Sequence, residues 1–205
     1  MNPRLIVCAS LVQLLMAIEI EKKYRLTKKD RRSLEQRMRE LDCEPKPVEF
    51  EENTIYSGGR LDFGGCALRL RRVNQNERAY LTFKRRIPNK SAIKHQEEHE
   101  VTVTDPDGMD SILKSLGFRP AFVYEKRRTR WEVGAAKVVI DELPFGLFME
   151  IEAAVKEIKR VEKLIGADAI PAVIETYPTL TANLGKKRRG VIEARFKPRK
   201  GRRHQ

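Results

Sequence analysis

The sequence predicts an α+β fold, in which an eight-stranded antiparallel β-barrel forms a tunnel with a charged lumen and helices packed outside. First, about eight segments alternate apolar and polar residues with the period of two that is typical of strands. Second, most of them are joined by short connections, which favours antiparallel neighbours, and a sheet of that size avoids open edges by closing. Third, the intervening helices carry apolar stripes that need a sheet face to pack against.

The individual elements follow from periodicity and from helix start and stop signals. Strands are predicted at residues 17–25, 48–56, 66–73, 79–87, 95–104, 118–130, 131–141 and 145–155. Thr27 is a candidate N-cap for a helix that ends near residue 42. Asp105 begins a short second helix, which Gly117 ends, and further helices are predicted at about 156–165 and 178–184.

The formal net charge of +13 is concentrated at the C-terminus. Residues 186–205 hold ten Lys or Arg and one acid, Glu193, whereas the rest of the chain has 32 basic and 28 acidic residues. We therefore predict a domain over residues 16–185 and a basic, disordered tail over residues 186–205. Such a tail could contact nucleic acid or polyphosphate nonspecifically, and an inert, solvated tail is the simpler alternative.

The N-terminus carries the longest apolar run, residues 5–18. It is shorter than the roughly 20 residues of a membrane-spanning helix. We interpret residues 1–15 as an extension that is not native to the domain, ahead of a start at Met16. A signal or anchor segment and a packed N-terminal arm are the alternatives. The cysteines, Cys8, Cys43 and Cys66, are odd in number and form no CxxC pair, which excludes a disulfide framework and favours a cytoplasmic protein without membrane contact.

Charged side chains share one face of successive strands, and apolar side chains share the other. On the first strand Glu19, Glu21 and Lys23 lie on one face. The later strands place pairs of one sign on one face, and these are Arg69 with Arg71, Lys84 with Arg86, Glu98 with Glu100, Lys126 with Arg128 and Glu150 with Glu152. A solvated face usually mixes charges with small polar residues, so these pairs favour a charged, water-filled lumen. An ordinary sheet with its charged face in solvent is the simpler alternative.

A lumen with both carboxylates and cations suits a metal-bound polyphosphate. Guanidinium and ammonium groups in a fixed array bind phosphate oxygens. Mg²⁺ or Mn²⁺, which usually accompany a polyphosphate, take carboxylate oxygens as ligands. Such a lumen would therefore hold a metal-bound triphosphate.

An ordered series of motifs resembles the CYTH superfamily, the triphosphate tunnel metalloenzymes. The series begins with E-x-E-x-K at residues 19–23 and continues with 68–71 (LRLR), 81–84 (LTFK), 98–100 (EHE), 123–128 (VYEKRR), 141–143 (DEL) and 148–152 (FMEIE). E-x-E-x-K alone is a weak signal, whereas the series on successive strands is a strong one. The family includes class IV adenylyl cyclases, thiamine triphosphatases and inorganic triphosphatases. The resemblance therefore implies that the partner is a triphosphate-containing small molecule, such as tripolyphosphate, thiamine triphosphate or ATP.

The resemblance implies roles for the charged residues. Glu19, Glu21, Glu150 and Glu152 would hold the divalent cations, and Lys23, Arg69, Arg71, Lys84, Lys126 and Arg128 would bind the triphosphate. Lys23 and Glu21 would be catalytic, Lys23 by orienting the attacking water. Glu98, Glu100 and Asp141 would support a second metal or the basic array. Arg86 and Arg130 fit the lumen by their position in the alternation.

The sequence predicts one fold but leaves three functions open. Hydrolysis of an inorganic or organic triphosphate is the preferred interpretation. A class IV adenylyl cyclase, which forms cyclic AMP and pyrophosphate from ATP, is the alternative, and a non-catalytic binder of polyphosphate or RNA is a third. The segment 116–126 is most similar to cyclase-like members of the family. A monomer and a dimer are both compatible with the sequence.

A competing motif, H-x-x-E-H at residues 95–99, matches a zinc-peptidase pattern that requires a helix. Residues 100–104 alternate like a strand, on which positions four apart lie roughly 13 Å from each other. We therefore expect these histidines to be solvated strand residues rather than zinc ligands.

Overall fold

The computed structural model describes residues 18–59, 61 and 65–197. The strands are β1 (Ile18–Leu26), β2 (Glu49–Ser57), β3 (Cys66–Val73), β4 (Arg78–Ile87), β5 (Ile93–Thr102), β6 (Arg119–Val133), β7 (Ala136–Leu143), β8 (Gly146–Glu152), β9 (Lys186–Arg188) and β10 (Val191–Ala194). The helices are α1 (Lys28–Glu40), α2 (Pro106–Ser115), α3 (Val155–Ile165) and α4 (Tyr177–Leu184). The predicted N-terminal extension, 1–15, and the end of the basic tail, 198–205, lie outside the described residues.

Eight strands close into an antiparallel barrel. Their order is β2-β3-β4-β5-β1-β8-β7-β6, and β6 pairs with β2 to complete the ring. The predicted barrel is therefore confirmed. The boundary predicted between residues 130 and 131 is wrong, because β6 continues through Trp131 and turns only at Gly134, where φ is +61°. Glycine adopts this backbone conformation at little cost, and the alternation in β6 and β7 is unaffected by the later turn.

Two apolar clusters cover the outside of the barrel. In the larger one, α1 and α3 pack on the outer faces of β1, β6, β7 and β8, with Leu34, Met38 and the fully buried Trp131 among its members. In the smaller one, α2 packs on β2, β3 and β4 through Leu113. The capping box of α1, formed by Thr27 and Asp30, fixes where the chain leaves β1 and enters the helix.

A third apolar cluster lies inside one end of the barrel, and we call it the apolar end. Its barrel members, Ile55, Tyr124, Leu143 and Phe148, alternate along their strands with the outward residues and so face inward. Helix α4 contributes Tyr177 and Leu180, and β10 contributes Ala194. The segment after α3 therefore packs against inward-facing residues at this end, while the other helices lie on the barrel wall.

The basic segment that we predicted to be disordered is in part a folded hairpin. β9 and β10 pair antiparallel, and β10 adds to β6 in parallel beside the barrel. Arg195 forms ion pairs with Glu52 of β2, Glu125 of β6 and Glu193 of β10. Composition alone missed this anchor because two of the acidic partners, Glu52 and Glu125, lie far away in the sequence. Residues 186–189 of the hairpin are exposed, in agreement with their charge.

Within the described residues, no helix is both long enough and apolar enough to cross a membrane.

Candidate functional site

The inward faces of the barrel strands carry an extensive set of ion pairs. Of the side chains that the structure describes, nine carboxylates take part, namely Glu19, Glu21, Glu49, Glu51, Glu98, Glu100, Asp141, Glu150 and Glu152. Ten cations pair with them, namely Lys23, Arg69, Arg71, Arg78, Lys84, Lys94, Lys126, Arg128, Arg130 and Lys137. The lumen is thus charged but close to neutral overall.

Glu51 of β2 is the central carboxylate of the buried part. Its side chain is 0% exposed and lies 3.2 Å from Lys126 Nζ, 3.7 Å from Arg71 Nη1 and 3.6 Å from Arg130 Nη2. Burial would raise the pKa of this carboxyl group, but the surrounding cations outweigh burial and hold the pKa far below its ordinary value. Glu51 therefore stays ionised and compensates several buried cations at once.

Arg128 joins the carboxylates of β7 and β8. Its Nε and Nη2 donate to the two oxygens of Asp141 at 2.7 and 2.6 Å, and Nη2 also donates to Glu150 at 2.8 Å. A bidentate pair of this kind holds the planar guanidinium in one orientation. Lys23 of β1 lies 3.1 Å from the other Glu150 oxygen. Although burial lowers the pKa of Lys23, the attraction of Glu150 and Glu21 outweighs it and raises the pKa.

A second group of charges lies on a more accessible side of the lumen. Lys84 of β4 pairs with Glu19 of β1 and lies 3.1 Å from Glu98 of β5. Arg69 of β3 donates to Thr82 at 3.2 Å and lies 3.6 Å from Glu100. The side chains of Lys84 and Arg69 are 21% and 14% exposed, whereas Lys126 is 1% exposed. A ligand would therefore meet Lys84 and Arg69 before it meets the buried cations.

The arginines of β3 retain donors without acceptors. Among the described residues, the buried Nε atoms of Arg69 and Arg71 have no hydrogen-bond partner. An unpaired buried N–H group is costly, and an anion that accepts from it removes that cost. Burial, together with the positive charge of Arg69, lowers the pKa of Arg71. An anion that enters the lumen would accept hydrogen bonds from these N–H groups and favour the charged form of Arg71.

The carboxylates predicted to hold metal lie on two adjacent strands. Glu21 of β1 is directly opposite Glu152 of β8 in the strand register. Glu21 lies 3.3 Å from Lys94, and Glu152 pairs with Lys137. Across residues 18–59, 61 and 65–197, no three Asp, Glu, His or Cys side chains converge as a metal site. The donor set nevertheless fits Mg²⁺ or Mn²⁺ chemically, because it consists of hard carboxylate oxygens on neighbouring strands.

The structure brings most of the predicted site residues together. The predicted binding cations, Arg130 and the predicted carboxylates all face the lumen in the ion pairs given above. Arg86 is exposed at the end of β4 and has no ion-pair partner in the described part of the chain. The histidines of the H-x-x-E-H motif lie on β5, as predicted, and His99 is exposed beside Glu97.

Sequence reasoning missed Glu51, Lys94 and Tyr177. The alternation of Glu49, Glu51 and Asn53 along β2 was a usable signal for Glu51. Lys94 precedes the predicted start of its strand by one residue, although it shares a face with Glu98. Tyr177 donates to Asp141 at 2.9 Å from a helix outside the strand pattern, so no local signal pointed to it.

Substitution of Glu51 tests the internal compensation of charge. Glu51→Gln removes the negative charge with little change of volume and leaves buried cations uncompensated. We expect it to lower the free energy of unfolding by about 3–5 kcal/mol, measured by urea denaturation. Tripolyphosphate should then stabilise the variant more than the wild type, because the anion replaces the missing charge.

The matched control is Glu44→Gln, an exposed residue in the segment between α1 and β2. It should change stability by less than about 0.5 kcal/mol. Equal stability of Glu51→Gln and Glu44→Gln would contradict the role assigned to Glu51.

Comparisons with known proteins agree with this architecture. The PH1819 protein of Pyrococcus horikoshii OT3 is 26% identical, with a TM-score of 0.67 over 80% of this chain and 98% of that one. The PH1012 protein of the same organism is 24% identical, with a TM-score of 0.66 over 78% and 96%. The Hippeastrum adenylyl cyclase candidate HpAC1, described as having a dominant triphosphatase activity, is 18% identical, with a TM-score of 0.59 over 77% and 90%. The similarities below 25% identity support the fold alone.

No curated protein sequence matches the chain significantly. The family model for the CYTH domain matches residues 17–167, which contain all eight barrel strands and end just after α3. This match covers well over half of the chain, and the barrel and its charged lumen agree with it. The chain therefore belongs to the CYTH domain family.

Proposed function

We propose that this protein is a divalent-metal-dependent triphosphatase, which hydrolyses a phosphoanhydride bond of an inorganic or organic triphosphate. The observation that carries the proposal is the lumen itself, in which buried arginines and lysines from several strands converge. Two of these arginines, Arg69 and Arg71, hold unpaired N–H donors. Membership of the CYTH family supports an enzyme that acts on triphosphate compounds.

The triphosphate would be bound by Arg69, Arg71, Lys84, Lys126 and Arg128. Lys84 and Arg69 lie on the accessible side and would meet the substrate first. Lys126 is buried, and burial together with Arg128 lowers the pKa of its ammonium group. A phosphate oxygen next to Lys126 would favour its charged form, so substrate binding and protonation of Lys126 should reinforce each other.

The charge balance of the lumen explains why a metal should accompany the substrate. The paired carboxylates and cations nearly cancel, so a triphosphate alone would bring several uncompensated negative charges into a buried space. Glu19, Glu21 and Glu152, with Glu150 nearby, would hold Mg²⁺ or Mn²⁺ through their carboxylate oxygens. The metal would supply compensating positive charge and a water of lowered pKa.

Lys23 is the residue that we assign to the reacting phosphorus. Its ammonium group is held beside Glu150, and it would orient the attacking water and the phosphoryl oxygens through its N–H donors. Glu21 would act with it as a metal ligand on the same strand. Glu98, Glu100 and Asp141 would hold the basic array in place, since each of them already pairs with an arginine or a lysine.

Hydrolysis is preferred to cyclisation because the charged side chains of the lumen suit a phosphate chain and a metal-bound water, whereas cyclisation would also require a site that holds the adenine and ribose of ATP. The dominant triphosphatase activity of the Hippeastrum protein supports the same preference. If the same residues were found to cyclise ATP, an adenylyl cyclase would replace this proposal.

The direct test is an incubation of the full chain with Mg²⁺ or Mn²⁺ and either tripolyphosphate or ATP. We expect phosphate to be released from tripolyphosphate, and chromatography resolves phosphate, pyrophosphate and cyclic AMP. Cyclic AMP and pyrophosphate from ATP, without cleavage of tripolyphosphate, would instead identify a cyclase. Failure of both reactions with both metals would contradict the proposal.

The metal assignment is tested by the double variant Glu19→Gln with Glu21→Gln. It removes two negative charges from the predicted metal ligands with little change of side-chain volume. Metal-dependent turnover should therefore fall about 100-fold or more. The control is Glu44→Gln with Glu97→Gln, which changes the net charge equally outside the lumen. Turnover that is equal in the two double variants would contradict the assignment.

A further inference from the structure

The CYTH family match ends at residue 167, yet the chain beyond it reaches into the lumen. Residues 172–177 run past β1, where Val173 N donates to Lys23 O at 2.8 Å and Ala172 bridges to Tyr24. Thr176 then caps α4 by accepting from Thr179 N. The first residue of that helix, Tyr177, is 6% exposed and belongs to the apolar end.

Tyr177 contacts two predicted site residues, Lys23 of β1 and Asp141 of β7, on the two strands that flank β8. The Lys23 ammonium lies 3.7 Å from the centre of its ring, a cation–π contact in a desolvated place. The Tyr177 hydroxyl donates to Asp141 at 2.9 Å. The ring itself is held by Tyr124 at 5.9 Å and by Phe148 at 5.5 Å between ring centres.

The same segment supplies another contact to Lys23. Lys23 Nζ donates to the carbonyl oxygen of Glu175 at 3.4 Å. Of the three groups around this ammonium, only Glu150 therefore belongs to the matched domain, and the Glu175 carbonyl and the Tyr177 ring come from beyond it. The position of Lys23 depends on the C-terminal segment as much as on the barrel.

The segment is also fixed at its far end. Gly185 N donates to Thr181 O at 2.8 Å, and a Cβ at Gly185 would lie only 2.8 Å from Ile192 Cγ2 of β10. This close approach, together with the ion pairs of Arg195, holds α4 against β10 and the barrel. Tyr177 is thus presented from a firmly attached support rather than from a free tail.

We infer that Tyr177 is a positioning residue for the reaction, which holds Lys23 and Asp141 in place through its ring and its hydroxyl group. The inference rests on the proposed triphosphatase function. It makes residues 172–185 part of the active site, although the family domain ends before them. Tyr177 has no role in bond making, because its hydroxyl is already donated to Asp141.

The test compares three variants of the full chain with tripolyphosphate as the substrate. Tyr177→Met keeps much of the apolar volume but lacks the π face, so kcat should fall roughly tenfold while KM changes little. Tyr177→Phe keeps the ring and should restore kcat to within about threefold of the wild type. Leu180→Ala removes apolar packing from the same helix without contact to Lys23, and its kcat should stay near that of the wild type.

A second measurement does not depend on turnover. In a double-mutant cycle on the free energy of unfolding, measured by urea denaturation, Tyr177→Met should destabilise the wild type more than it destabilises a Lys23→Met background, because the cation–π contact is already absent there. If Tyr177→Met does not fold, Tyr177→Leu replaces it. Equal losses of kcat in the Tyr177 and Leu180 variants, or additive losses of stability, would overturn the inference. A wild-type chain that neither binds nor cleaves tripolyphosphate would instead overturn the proposed function.

Discussion

Mutual compensation of charge inside the barrel is the constraint on which the rest of the structure depends. An isolated charge in a protein interior costs several kcal/mol, and this barrel places many of them there. They are tolerated because each carboxylate meets cations from neighbouring strands, as Glu51 meets Lys126 and Arg71. Closure of the sheet keeps these partners at fixed distances. The apolar faces are consequently turned outward, and α1, α2 and α3 cover them.

This arrangement prepares the lumen to bind an anion. The cations are already desolvated and oriented by carboxylates, so a triphosphate would exchange one set of anionic partners for another. Such preorganisation favours binding and catalysis because little reorganisation is needed when charge develops on the reacting phosphate. Because the charges of the lumen nearly balance, a divalent cation should bind together with the substrate and compensate its negative charge. The triphosphate would then enter on the accessible side, where Lys84 lies, and react on the buried side, where Lys126 lies.

The sequence predicted the barrel and most of the lumen because a strand has a strict period of two. Once Glu19, Glu21 and Lys23 were placed on one face, the alternation fixed the faces of the other strands. Prediction failed where a position depends on contacts distant in sequence. Arg195 folds the hairpin through Glu52 and Glu125, which composition cannot reveal. The position of Tyr177 inside the apolar end depends in the same way on how α4 packs.

The most direct test of the central claim is a crystal structure of the full chain with Mn²⁺ and an imido-bridged tripolyphosphate analogue that resists cleavage. The account predicts three phosphoryl groups in the lumen, in contact with Arg69, Arg71 and Lys126, and an anomalous manganese signal beside Glu21 and Glu152. The ion pairs of these residues should rearrange accordingly. An analogue bound at residues 186–189 of the exposed hairpin, with the lumen pairs unchanged, would contradict the account.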